Sequence, residues 1–459
     1  MLSSLSFLRP YMPGYFSSPA ANRLPEPVDT PLDNPQDSIT TTHSSPQAPE
    51  IKLSATDRMV IRTIAAGYLR MPRIPARWRG FLSPDAYQKM TGLPMEKASF
   101  SSVDGIPLKG YWFPLPNQPK DSGKTVILGH GYCANAGNML PLIRPLHDAG
   151  YHVFLFDFRA HGNSGGEKTS IGYHEGKDLA AAVGFLKENY PKQTEEINYL
   201  GHSMGAAAYL MAPKSLEKHP AERQKLIDHL NRVILDSSYE VIKPSEDPYV
   251  AGYLEETLSK SRMSPALWLN PTKRWLQHIV KGFESQSAAM MDLPAPLNQL
   301  YPAELYKKHP EFQTKPLLLL HGQDDTRTAF TNSEAIFNTL TAIADTGHPF
   351  VESIHFVPLE ADHFVTDWKP AHSKSAYKSI LRDKERYIQS IQAFLAGKQP
   401  AHHKPPLKGA PAAADSEAEQ LDSAAGPTPA GQPQAEQPRR LVPQPDNLAS
   451  DMPFAAAAI

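Results

Sequence analysis

The stretch INYLGHSMGAAAYLMA, residues 197–212, decides how the chain is read. INYL is a short apolar run of the kind that forms a buried strand, and AAAYLMA opens a helix made of small residues. Between them stands Gly201-His202-Ser203-Met204-Gly205, a G-x-S-x-G on the turn from strand to helix, which is the pattern of a nucleophilic serine. The turn is tight, so glycines must flank the serine, and the helix N-terminus points its N–H groups at the place where negative charge would develop. A second match, HGNSGGE at 161–167, lacks this context. Its strand ends near Phe158, a loop intervenes, and GGEKTSIGYHE shows no immediate helical period. Ser203 is therefore the candidate nucleophile and Ser164 a residue of a glycine-rich loop.

Working outward, KASFSSVDG and IPLKGYWFP form an antiparallel hairpin about Asp104-Gly105. TVILGHG (125–131), YHVFLFDF (151–158), INYLGHS (197–203), RVILDSS (232–238), PLLLLHG (316–322) and ESIHFVP (352–358) are further strands, several apolar throughout, as in a parallel sheet buried on both faces. Helical stretches lie between them, among them NMLPLIRPLHDAG, GKDLAAAVGFLKENY, NSEAIFNTLTAI and SAYKSILRDKERYIQSIQAFLAG. The alternation predicts an α/β architecture, a mostly parallel central sheet with helices on both faces. The rhythm breaks after the sixth strand. Residues 238–315 hold no strand but carry PYVAGYLEETLSK and PALWLNPTKRWLQHIVKGF, so they are expected to form a small helical cap. Its Trp268, Leu269, Trp275, Met290 and Met291 suit either an apolar channel or the cap's own core.

Residues 1–51, rich in Pro and Ser, and 399–459, dominated by Ala, Pro, Gln and Glu, bury too little apolar surface to offset ordering and are expected to be disordered. That leaves a helical extension at 52–94 and a main domain at 95–398. Within the extension, DRMVIRTIAAGYLR (57–70) is expected to pack on the core, peripheral membrane contact being its other use. The formal net charge of −2 gives no sign of a nucleic-acid partner. No apolar run reaches the length of a membrane span, and MLSSLSFLRP does not read as a secretory signal. The single cysteine, Cys133, excludes an intrachain disulfide and fits a cytoplasmic location, an exported effector being the alternative. Cys133 itself reads as a small, partly buried residue.

A serine needs a base, and the base needs a carboxylate to hold its tautomer. In the chain order Ser, acid, His, the acid lies in HGQDD (321–325) and the base in EADHF (360–364). His363, just past a strand end, is the candidate base. Asp325 is the candidate acid. Its neighbour Asp324 is expected to be solvated or to cap a helix, and Asp236 is the outside alternative with a structural role. The oxyanion hole calls for two N–H groups, one from Met204 and one, by position, from Tyr132 in the loop after TVILGHG, where Gly129 and Gly131 allow a close approach and His130 braces the backbone. His174, Glu175 and Asp178 lack the H-E-x-x-H spacing, so neither a metal nor another cofactor is expected.

DGIPLKGYWFP, the HGY loop, DFRAHGNSGG, GHSMG, HGQDD and ADHF, in this order, resemble the α/β-hydrolase superfamily over roughly 95–397, and within it the serine esterases and monoacylglycerol-lipase-like enzymes. The resemblance implies an α/β-hydrolase fold, a triad of Ser203, Asp325 and His363, oxyanion N–H groups on Tyr132 and Met204, and a structural role for Ser164. Two places depart from the family pattern. Thr-Arg-Thr follows HGQDD where relatives often carry Val-Pro, and Asp362 precedes the histidine where a small residue is common. The expected activity is cleavage of a small-molecule ester or acyl-lipid through an acyl-enzyme. Thioester cleavage or protein deacylation by the same triad, and a non-catalytic binding protein of this fold, are the alternatives.

Overall fold

A computed structural model of the chain describes residues 52–69, 83–116, 123–243, 270–312, 314–325, 327–342, 354–361, 363 and 376–401. The two termini expected to be disordered lie outside these residues, save 399–401, as do Asp362, Trp268, Leu269 and the stretch PYVAGYLEETLSK.

Glu96–Ser101 (β1) and Pro107–Phe113 (β2) form the hairpin, paired antiparallel with Phe100 opposite Leu108, and Gly105 turns it with φ +84°. Six more strands follow: Lys124–Gly129 (β3), His152–Asp157 (β4), Glu196–His202 (β5), Leu230–Asp236 (β6), Leu317–Gly322 (β7) and Ile354–Leu359 (β8). The sheet order is β1-β2-β4-β3-β5-β6-β7-β8; β2 runs antiparallel to β4, and from β4 to β8 all neighbours are parallel. β4 and β7 are buried at every position, which is why their sequences are apolar without alternation.

Ala55–Leu69 (α1) and Pro84–Thr91 (α2) precede the sheet; α2 is capped by the Ser83 hydroxyl and ends at Gly92 in the left-handed region. Ile143–Asp148 (α3), Glu175–Asn189 (α4), Met204–Ser215 (α5), Pro220–His229 (α6), Asn270–Met291 (α7), Pro302–Lys307 (α8), Phe330–Thr341 (α9) and Ala376–Leu395 (α10) complete the helices. One face of the sheet carries Leu179, Val183, Tyr209, Tyr306 and Phe337, the other Met139, Leu146, Tyr387 and Phe394. Two expectations need correction. NMLPLIRPLHDAG is not one helix: a 3-10 turn, Ala136–Leu142, contains Pro141 and gives way to the short α3, which carries Pro145, since each proline removes a donor. The second is an omission: no helix was expected at 220–229, where α6 stands, opened by Pro220.

The segment after β6 supplies a third apolar cluster. In it Ile279, Phe283, Met291, Leu297 and Leu300 meet Ile61 and Leu69 of α1 and Ala207 and Met211 of α5. Met291 is thus spent in this cluster, with Met290 packed against it, whereas Trp275 is 38% exposed and donates Nε1–H to Asp57 Oδ1 at 3.1 Å. α8 returns to the sheet, where Tyr306 packs among Tyr209 and Phe312. None of the described helices is long and apolar enough to cross a membrane.

Candidate active site

Ser203 links β5 directly to α5 with φ 52° and ψ −112°, a backbone conformation costly for a residue with a Cβ. The surroundings hold it there. Its N–H donates to Asp236 O at the end of β6 (2.7 Å), and its carbonyl accepts the Ala207 N–H at 3.0 Å, so α5 begins at once. The glycines of the motif are required by close contact. A Cβ on Gly205 would stand 2.5 Å from Gly129 O, and one on Gly201 would stand 2.5 Å from the Gly205 carbonyl carbon. Helix α5 therefore starts against the backbone of β3. A Cβ on Gly131 would lie 3.3 Å from Ser203 Cβ, so the loop after β3 passes beside the serine.

That loop is braced as its sequence suggested. His130 is fully buried, with Nδ1 2.8 Å from Gly131 O and Nε2 accepting the Phe158 N–H at 3.0 Å, which makes Nδ1 the protonated nitrogen. Asp157 accepts the Ala136 N–H on one oxygen (2.8 Å) and the Asn163 N–H on the other (2.9 Å), tying the loops after β3 and β4 together; burial raises its carboxyl to about 6. Tyr132 is half-buried with its ring beside His161, Cys133 follows with φ +60°, and Met204 is the buried first residue of α5. In the first turn of a helix the N–H groups have no intrahelical acceptor.

Asp325 and His363 meet. His363 Nδ1 is 2.8 Å from Asp325 Oδ2, which fixes the proton on Nδ1 and makes Nε2 the basic atom. Oδ1 of the same carboxylate accepts the N–H groups of Arg327 (2.8 Å) and Thr328 (2.9 Å), and Oδ2 also receives the Thr328 hydroxyl at 2.8 Å and lies 3.0 Å from His321 Nε2. Burial works to raise the Asp325 carboxyl, but the bonds and charges of His321 and His363 hold it well below the usual carboxylate range. For His363, burial is the larger influence and lowers its basicity, against the opposing pull of Asp325. Asp324 is exposed. Asp236 pairs with another histidine: Oδ2 is 3.1 Å from His202 Nδ1 and accepts the Tyr387 hydroxyl at 2.8 Å. The His202 ring lies 4.9 Å, centroid to centroid, from that of His363, so the residue before Ser203 sits against the histidine bonded to Asp325.

Ser164 has a different occupation. It is fully buried, accepts the Lys109 N–H at 2.9 Å and donates to Asp157 O, stitching its loop to β2 and β4. The acidic residues near His174 are likewise committed. Glu175 accepts from the Thr169 and Ser170 hydroxyls and from the N–H groups of Ser170 and Gly172. Asp178 pairs with Arg159 at 2.7 Å, and Arg159 reaches on to Asp104 at 2.9 Å, joining the hairpin, the loop after β4 and α4. No cluster suited to a metal ion occurs among the described residues. The partners of Asp325 other than His363 were not anticipated; the Thr-Arg-Thr departure was the signal for Thr328, and nothing in the sequence marks His321.

The strand order and the serine at the β5–α5 turn are those of the α/β-hydrolase fold. A family model described as serine aminopeptidase, S33, matches residues 120–229, a range that holds Ser203 but neither Asp325 nor His363. Over this range the chain is similar to α/β-hydrolases of esterase and lipase type. It is 38% identical over 119 residues to the uncharacterized protein YqkD of Bacillus subtilis, a match that covers 26% of this chain and 37% of that one. With a monoacylglycerol lipase of Mycolicibacterium smegmatis it shares 31% identity over 110 residues, 23% of this chain and 37% of the lipase. The chain thus spans well under half the length of these two relatives. Among solved structures, an esterase of Pyrococcus furiosus is 24% identical with a TM-score of 0.47, over 72% of this chain and 98% of the esterase.

Proposed function

We propose that the protein is a serine hydrolase that cleaves carboxylic esters through an acyl-enzyme, with Ser203 as nucleophile, His363 as base and Asp325 as its orienting acid. The observation that carries this reading is Ser203 held at φ 52° and ψ −112° between a buried strand and a helix, next in the chain to His202, whose ring lies 4.9 Å from that of His363, a histidine whose proton is fixed on Nδ1 by a carboxylate. In the first half-reaction His363 Nε2 takes the Ser203 proton as Oγ adds to the ester carbonyl. The oxyanion is met by the N–H groups of Met204 and Tyr132, and the imidazolium returns the proton to the departing alcohol. Water, activated by the same nitrogen, then releases the acid. The low basicity of Asp325 keeps it ionised while the imidazolium forms, and no metal enters this scheme.

A small-molecule ester or an acyl-lipid is the proposed substrate, in keeping with the partial likeness to a monoacylglycerol lipase. The test is hydrolysis of p-nitrophenyl butyrate together with labelling by a fluorophosphonate probe. Ser203→Ala is expected to lose both, with a fall in kcat of at least ~10⁴-fold, whereas Ser164→Ala retains label in whatever fraction folds. Label that persists on Ser203→Ala refutes the assignment. A panel of esters, a thioester and an aminoacyl p-nitroanilide separates ester cleavage from thioester cleavage and from the peptidase activity in the family model's description.

A further inference from the structure

Thr328 closes the Thr-Arg-Thr that follows HGQDD, and every polar atom it owns is directed at the Asp325 carboxylate or its partners. Its N–H donates to Asp325 Oδ1 (2.9 Å), its hydroxyl to Oδ2 (2.8 Å), and its carbonyl lies 2.8 Å from His321 Nε2, the nitrogen that also approaches Oδ2. The same hydroxyl oxygen is 3.0 Å from His363 Nδ1 and 3.2 Å from Ser237 O. Building on the triad reading, we propose that Thr328 is a positioning residue for His363, whose hydroxyl fills one lone-pair direction of Asp325 Oδ2 and thereby fixes the imidazole's place on a partly neutralised carboxylate.

The argument is one of counting donors and acceptors. A carboxylate offers about four lone-pair directions. Oδ1 spends two on the N–H groups of Arg327 and Thr328; Oδ2 has the Thr328 hydroxyl and His363 Nδ1–H, while His321 shares its proton with the Thr328 carbonyl. The hydroxyl carries a single proton, and the charged oxygen at 2.8 Å takes it in preference to the neutral Ser237 carbonyl at 3.2 Å. With that proton committed, the hydroxyl's lone pairs face His363 Nδ1–H, which is left one seat between Oδ2 and Oγ1. A valine here would keep the backbone contacts and the shape but lose this seat. The carboxylate's charge would then be divided among fewer donors and would stabilise imidazolium more strongly.

The consequence is a base that stays neutral to lower pH than an Asp–His pair without the hydroxyl. The other groups facing His363 are His202 on β5 and Arg327 of the loop after β7, both of which disfavour its protonation; behind them stand Asp236 on His202 and His321 on Asp325. None of these is altered by changing the Thr328 side chain.

The experiment compares Thr328→Val with Thr328→Ser in the full chain. The readout is the pH dependence of the second-order rate of fluorophosphonate labelling, which requires no knowledge of the natural substrate. Thr328→Val is expected to move the acid limb to higher pH by about half a unit or more, a roughly threefold slowing below the limb, with Thr328→Ser restoring the wild-type limb. A valine variant that labels on the wild-type limb overturns the proposal, as does a serine variant displaced as far as the valine one, which would assign the effect to packing of the methyl group. Failure of the wild type to label at Ser203 would remove the triad itself, whereas normal wild-type labelling with an unmoved limb removes only the role of Thr328.

Discussion

Gly205→Ala is the sharpest perturbation of the elbow that leaves every polar group in place. The added Cβ would stand 2.5 Å from Gly129 O, 2.8 Å from Gly129 C and 3.0 Å from His130 O. Ordinary carbon contacts begin at about 3.5 Å, so roughly 1 Å must be found. β3 cannot supply it, because Gly129 is paired on both sides, to Phe156 of β4 and to Gly201 of β5. The first turn of α5 must lift, and Met204 with it. Overpacking of this kind costs about 1–3 kcal/mol, and a displacement near 1 Å at the reacting groups costs on the order of 10²-fold in rate. The assay is kcat/KM on p-nitrophenyl butyrate beside a thermal melt. The control is Gly184→Ala in α4, where a Cβ would meet nothing within 4 Å; it should stabilise by ~0.5–1 kcal/mol and leave the rate alone. Gly205→Ala with wild-type rate and melting temperature would show that α5 does not rest on β3 as described.

Two further outcomes concern the scaffold. Asp178→Ala leaves the buried Arg159 with Asp104 as its remaining ion pair, beside the Ser102 hydroxyl, and should lower the unfolding free energy by about 3 kcal/mol in a urea titration. His152 accepts the Leu115 N–H and is lowered from 6.5 to about 4 by burial and by the nearby His147. A base depressed on folding gives stability that is complete above its unfolded value and is lost as pH falls through the folded one. Between pH 6.5 and about 4 this residue should therefore remove up to ~3 kcal/mol, and His152→Asn should flatten that part of the urea-midpoint profile.

The strands were readable in the sequence to within about two residues because burial on both faces leaves an uninterrupted apolar signature, and the elbow because glycine, serine and glycine fall between a strand and a helix. What escaped depends on partners brought from afar. Asp236 could be weighed as an acid only in the abstract; its actual partners, His202 and Tyr387, come from β5 and α10, and Tyr387 is 151 positions away. Arg159 sits in a visible motif, but its bonds to Asp104 and Asp178 depend on the hairpin folding back over α4. The split of Ala136–Leu142 from α3 was written in Pro141 and Pro145, and there the apolar spacing outweighed the missing donors. The residues gathered on Asp325 belong to one tight loop, where spacing alone does not reveal which atoms turn inward.

The lone thiol of the chain, Cys133, is partly exposed and follows Tyr132 directly in the loop beside Ser203. The protein therefore comes with a built-in attachment point for a thiol-directed dye, without prior removal of other cysteines. A reporter there would sense, through its emission, any shift of this loop when a small ester is added.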